Sequence, residues 1–256
     1  MVSASIKSSE IRFGECNKKL LEEVIFYGIS LGADFVELFI ENSDNSSVLA
    51  EEDFITNVSP SFSKGAGIRI FKDKRDGFVS TNDLSKHGLM RSISQAIEML
   101  DISKKTNKLI FNGLEKLKDY SKSKINWLNE VPTINEVSEK LLLSTKSLKK
   151  DKKVVVRKGS YARNWQEVII ASSDGTYATD IRLHQTVGLN IIANDAQYRS
   201  NGSRRFGSHG IPNEFRLWDH EKASNEVYES SMNMLYADYV QAGQMPVVLA
   251  NKFGGV

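Results

Sequence analysis

Residues 18–31 place Leu20, Leu21, Val24, Ile25 and Ile29 at helical spacing, which predicts a helix with one buried stripe. Gly32 follows where a left-handed residue commonly ends a helix. Over 34–41 the period drops to two. Val36, Leu38 and Ile40 share one face, and Phe35, Glu37, Phe39 and Glu41 the other, so this stretch reads as a strand. Shorter extended runs follow at 47–51, 54–58, 67–72 and 77–80, separated by polar or glycine-bearing stretches as in an antiparallel meander, with Asp76-Gly77 read as a tight hairpin turn. A second helix is expected from Asp83 or Ser85, either of which could cap it, with Leu89, Ile93, Ala96, Ile97 and Leu100 on one face. Helix, strands and helix make a first α+β unit at 1–110.

Residues 101–131 are rich in lysine and asparagine and carry little periodicity, so 111–131 is assigned as a connecting segment. A middle unit, 132–242, opens on Thr133-Ile134-Asn135-Glu136, a capping-box pattern that starts a helix running to about residue 149. Strands are expected at 153–161, 165–172, 176–182 and 187–194, with Asp174-Gly175 as a turn, then a glycine-rich loop at 199–210 and a helix at 220–238. Residues 246–250 read as a buried strand, and 243–256 as the first strand of a further domain from which the chain is cut off. The expected fold class is α+β, two layered units of mainly antiparallel sheet with covering helices.

Composition narrows the picture. Apolar residues at 40% suffice for a real core, while the longest apolar runs are far too short to cross a bilayer, and the N-terminus lacks the apolar stretch of a secretion signal. A single cysteine, Cys16, excludes an internal disulfide and fits a reducing, cytoplasmic compartment. A net charge of +2 gives no long-range pull toward nucleic acid or anionic lipid, and the basic cluster at 146–153 reads as a solvated helix end.

Candidate chemistry is sparse. His87, His184, His209 and His220 form no pair at metal-ligand spacing, and each reads as a surface or capping residue. Cys16 has no histidine nearby in sequence to activate it. No serine-nucleophile elbow or Walker loop is present, and Gly65-Ala66-Gly67 precedes a strand, the wrong order for a dinucleotide loop. No catalytic and no metal-ligating residue is assigned. What remains is the basic loop containing Arg199, Arg204 and Arg205, whose guanidinium groups could hold a carboxylate of a peptide in bidentate fashion, against the plainer alternative of a solvated loop. Sheet edges could also accept an extended peptide.

Five pieces in order carry a family resemblance: Gly32-Ala33-Asp34-Phe35-Val36-Glu37-Leu38; Gly65-Ala66-Gly67-Ile68-Arg69-Ile70 with Gly77-Phe78-Val79-Ser80-Thr81-Asn82-Asp83-Leu84-Ser85; Ser173-Asp174-Gly175-Thr176-Tyr177-Ala178-Thr179-Asp180-Ile181-Arg182; Arg204-Arg205-Phe206-Gly207; and Ala242-Gly243-Gln244-Met245-Pro246-Val247-Val248-Leu249. Together they resemble the N-terminal and middle regions of the TldD/PmbA family, from about residue 20 onward. The resemblance implies a zinc metallopeptidase of unfolded or leader peptides. It also implies a TldE/PmbA-like partner subunit or a homo-oligomer, and a substrate held extended beside the sheet. In that family the zinc sits on an H-E-x-x-x-H helix with a later cysteine, where the glutamate activates water. That motif would begin after Val256, so no family ligand maps onto these residues and the chain alone is expected to be inactive. A metal-free binding or scaffold subunit is the alternative reading, and a nucleic-acid-associated regulator is weighed last.

Overall fold

The computed structural model describes residues 13, 16–101, 111–116, 131–148, 151–210 and 213–249. In chain order they form α1 (Lys18–Ser30), β1 (Phe35–Glu51), β2 (Phe54–Lys72), β3 (Arg75–Thr81), α2 (Lys86–Met99), β4 (Glu115–Lys116), α3 (Ile134–Ser147), β5 (Val154–Ser172), β6 (Thr176–Asp195), β7 (Tyr198–His209), α4 (Glu214–Leu217) and α5 (His220–Leu235).

The helices begin where a side chain can satisfy the first free N–H groups. Asn17 accepts from Leu20 N at 3.0 Å for α1, and Ser85 from Gly88 N at 3.1 Å for α2. At α3 the expected capping box is complete: Thr133 Oγ1 accepts from Glu136 N at 3.3 Å, and Glu136 Oε2 from Thr133 N at 2.7 Å. Asp219 caps α5 through Lys222 N at 2.9 Å. Gly32, just past α1, has φ 102°.

One sheet runs through the molecule in the order β3-β2-β1-β5-β6, with β4 and β7 sharing the far edge of β6. The fold class is α+β and mainly antiparallel; among the described residues only the short β4 ladder is parallel. β1 pairs with β2 on one side and with β5 over Glu37–Ser172 to Glu51–Lys158 on the other, so the strands of both sequence regions are hydrogen-bonded into a single layer. Because side chains alternate along a strand, all helices pack on one face of this layer. α1 and α2 cover Val36, Leu38, Ile40, Ile68 and Ile70. α3 covers Val48, Ala50 and Tyr161, and α5 covers Leu189 and Ile191. Leu21, Leu38, Ile68 and Leu89 are fully buried there, each contributing about 1.5–3 kcal/mol of apolar transfer.

Several expectations need correction. Apart from 77–80, which is the short β3, the short strands of the sequence reading are segments of four long ones, β1, β2, β5 and β6, of 17, 19, 19 and 20 residues. They looked broken because their middles carry polar residues on the helix side, including buried Ser46 and the Asp44–Arg163 ion pair at 2.8 Å, while the backbone ladder continues. The loop expected at 199–210 is β7. The β2–β3 turn falls on Asp73 and Lys74, both at positive φ, and not on Asp76-Gly77, which lie within β3. Gly77 is needed for a different reason: a Cβ there would sit 3.1 Å from Leu100 Cγ and 3.2 Å from the Ala96 carbonyl of the overlying helix. Residues 246–249 form no strand and are exposed, with no described element to pair with. Within the connecting segment only 111–116 and Val131 are described; the rest of it, Lys149–Lys150 of the basic cluster, and 250–256 lie outside the described residues.

Candidate functional site

On the face opposite the helices, cross-strand register lays side chains in rows. One row is Leu49, Ser160, Gly188 and Arg205; the next is Glu51, Lys158, Asn190 and Ser203. Gly188 leaves a dip in the first row, and the two rows floor a groove of ≈ 1140 Å³. Its polar wall is the Lys158–Glu51 ion pair at 3.2 Å together with Arg204 and Arg205. Lys158 and Glu51 are about half exposed, so their mutual attraction is screened, and a ligand carboxylate can compete for the lysine at little cost.

The three candidate arginines all lie on β7, but they do not converge. Arg204 and Arg205 line the groove. Being neighbours on a strand, they project to opposite faces: Arg205 lies in the open-face row, whereas Arg204 Nε approaches Glu226 Oε2 of α5 at 3.9 Å. Arg199 is opposite Asn194, roughly 17 Å along the strand from Arg204 at ~3.4 Å per residue, and does not line the groove.

Sequence spacing missed a histidine pair. His184 on β6 and His209 on β7 are register partners, with Nδ1 atoms 3.3 Å apart and ring centroids 4.4 Å apart, both exposed on the open face. The signal was there but hidden: once β7 is seen as a strand, every pair in this hairpin has the same sum of residue numbers, and His184 and His209 share it. His184 also borders a shallow groove of ≈ 400 Å³ floored by Ser47, Ser61, Asn164 and Thr186.

Two further features lie elsewhere. A hollow of ≈ 180 Å³ on the helix side is walled by Phe206, Phe215 and Trp218, and both Trp218 Nε1 and Ser208 Oγ beside it are buried without a hydrogen-bond partner. Cys16 is buried, and desolvation pushes its thiol up to about 11 despite the nearby Lys64 charge, so it is neither a ready nucleophile nor a thiolate ligand. Among the described residues no group of three or more His, Cys, Asp or Glu could hold a metal ion, and no helix is long and apolar enough to cross a membrane.

Comparison with known proteins matches residues 36–100 to the model of PmbA/TldA metallopeptidase domain 1 and residues 127–235 to that of the PmbA/TldA metallopeptidase central domain. The chain is 25% identical over 236 residues to a metalloprotease TldD homolog of Haemophilus influenzae, covering 87% of this chain and 47% of that protein. It is 22% identical over 230 residues to the metalloprotease MJ0996 of Methanocaldococcus jannaschii, covering 87% and 49%. The chain thus spans about half the length of the curated relatives it matches. Solved structures share the fold. A Thermotoga maritima protein described as a candidate modulator of a DNA gyrase superposes with TM-score 0.71 at 16% identity, covering 88% of this chain and 50% of that one. TldE from Thermococcus kodakarensis superposes with TM-score 0.67 at 20% identity, covering 83% and 47%.

Proposed function

Because this chain belongs to the PmbA/TldD metallopeptidase family, we propose that it forms the substrate-receiving part of a zinc-dependent peptidase that cleaves unfolded or leader peptides. The observation that carries this reading is the open-face groove, floored by four strands and edged by Lys158 and Arg205. An extended peptide matches such a surface chemically. Its backbone finds acceptors and donors in Ser160, Asn190 and Ser203, and its carboxylates find the basic edge. Arg205 is the residue proposed to bind the peptide's carboxylates; Arg204, whose side chain lies on the helix face beside Glu226, is proposed to border the groove through its backbone alone. Arg199 is proposed to contact only a longer peptide running up β7.

The described residues do not fit the metal. They bring together no three ligands, and Cys16 is held protonated by burial. Zinc and the group that activates water are therefore proposed to be supplied by residues outside those described, and no chemical step is assigned to this part of the chain. Residues 236–249 support a contact with further polypeptide, since Tyr239, Val240, Val247, Val248 and Leu249 are all more than 70% exposed. A TldE/PmbA-like partner subunit, or a second copy, is the proposed occupant, in the reducing cytoplasm that suits the free Cys16.

The gene product purified from its own cells should cleave an unfolded peptide, lose that activity to a zinc chelator, and regain it with added zinc. Arg205→Ala should raise KM more than it lowers kcat. If the peptide is bound with no chelator-sensitive cleavage, the chain acts as a metal-free binding subunit. If it is neither bound nor cleaved, the proposal fails.

A further inference from the structure

We infer that His184 and His209 form a two-histidine site for a first-row divalent cation that favours imidazole, zinc or copper, on the open face of the sheet. The inference does not rest on the peptidase reading.

The argument is geometric. Two imidazole nitrogens, each ~2.0–2.1 Å from a tetrahedral metal, lie about 3.3–3.4 Å from one another. The Nδ1 atoms of His184 and His209 are 3.3 Å apart, the separation one bridging cation requires, and the exposed rings need only turn until both Nδ1 lone pairs meet on it. The two residues are direct cross-strand partners on strands locked by a twelve-pair ladder, and both ring positions are thereby set by the backbone. Without a cation, one Nδ1–H donates to the other Nδ1 across an exposed gap, a weak bond to give up. With a cation, both rings present the Nδ1 lone pair and keep the proton on Nε2, which is the neutral form imidazole takes as a ligand.

The surroundings permit the charge. Arg182, two residues along β6, is engaged by Asp180 at 2.7 Å and by Gln166 at 3.3 Å, so its charge is matched within the same face. Asn164, opposite His184 on β5, is hydrogen-bonded to Asn45. The remaining coordination positions open toward the groove floored by Ser47, Ser61, Asn164 and Thr186, where water or a carboxylate of a groove-bound ligand can complete the shell. With only two protein ligands the site is an open one, not a closed structural site.

The test titrates the 256-residue chain with zinc chloride, copper sulfate and magnesium chloride, following the histidine ring resonances by NMR. One-to-one, saturable shifts of His184 and His209 with zinc are expected, and paramagnetic broadening by copper centred on the same two residues and fading along β6 and β7. Magnesium, which prefers oxygen, should leave the spectrum unchanged. His184→Gln and His209→Gln should each weaken zinc binding at least tenfold without lowering Tm, because both rings are exposed. The inference is overturned if neither ring responds up to millimolar zinc, if the double variant binds as well as the native chain, or if magnesium produces the same shifts.

Discussion

The guanidinium of Arg157 donates to Glu52 from Nε at 2.8 Å, tying the start of β5 to the β1–β2 turn. Arg157 is 4% exposed and also reaches Asp53 at 3.3 Å and the Thr145 carbonyl, in the last turn of α3, at 3.0 Å. A cation at a helix C-terminus is favoured by the helix dipole as well as by its carboxylate partners. One side chain thus fastens the hairpin that ends in Glu52, whose φ is 55°, to the helix that covers it.

Arg157→Met should therefore lower stability by about 2–4 kcal/mol in urea unfolding, because three acceptors lose their donor. The cost stays below that of a fully buried pair, since Glu52 and Asp53 are about 40% exposed and regain water. Arg157→Lys should recover part of the loss. An unchanged midpoint in Arg157→Met would show that the clamp is not structural.

Glu136 gives a pH prediction. Hydrogen bonds from Arg216, and then from the Thr133 backbone and hydroxyl, hold its carboxyl at about 2 against an ordinary 4.5. A depressed acid contributes stability that is complete above its unfolded value and is lost as pH falls through its folded value. Glu136→Gln keeps a capping-box residue but removes the charge. The Tm gap between the native chain and this variant should be widest above pH ~5 and close between pH ~4.5 and ~2. A gap independent of pH would contradict the assignment.

Gly202 on β7 faces α5 so closely that a Cβ would lie 2.5 Å from the Val227 carbonyl and 2.7 Å from Ser231 Cβ. Both obstacles belong to the helix and one is backbone, so neither can swing away. Gly202→Ala should cost about 1–3 kcal/mol and speed amide exchange in β7 ahead of β1. Equal stability would mean that α5 does not press on β7.

The same contact explains why β7 was hard to read. Its helix-facing positions hold Ser200 and Gly202, because α5 leaves no room for Leu or Val, and Ser200 Oγ instead lies 2.8 Å from the Ser231 carbonyl. The apolar alternation that marks a strand is therefore absent, and S-N-G-S-R-R-F-G reads as a loop. Read as a loop, this stretch hides the His184–His209 pair and groups the three arginines, which the strand separates along its length and between its two faces. Helices fared better. Ser85, one of the two candidates with Asp83, and the Thr133–Glu136 capping box mark their N-termini as read, Asn17 and Asp219 cap α1 and α5 without having been singled out, and the stripes of α1 and α2 face the core as their spacing required. Apolar 246–249 misled in the other direction: hydrophobicity gave a strand, but pairing needs a neighbour that no described element supplies.

Cys16 should be nearly inert. With its thiol at about 11, only roughly one molecule in a thousand is thiolate at pH ~8, and the sulfur is buried as well. Reaction with a disulfide reagent should be at least about a hundredfold slower than in the urea-unfolded chain. Comparable rates would show that the N-terminal edge of the core opens freely.

The central claim is that the open-face groove receives an extended peptide, and fluorescence anisotropy of a labelled, unstructured acidic peptide titrated with the 256-residue chain tests it most directly. The account predicts saturable binding that Arg205→Ala combined with Lys158→Ala weakens roughly five- to tenfold, while Arg199→Ala leaves it nearly unchanged. Absence of binding, or binding that is insensitive to Arg205 and Lys158, would contradict it.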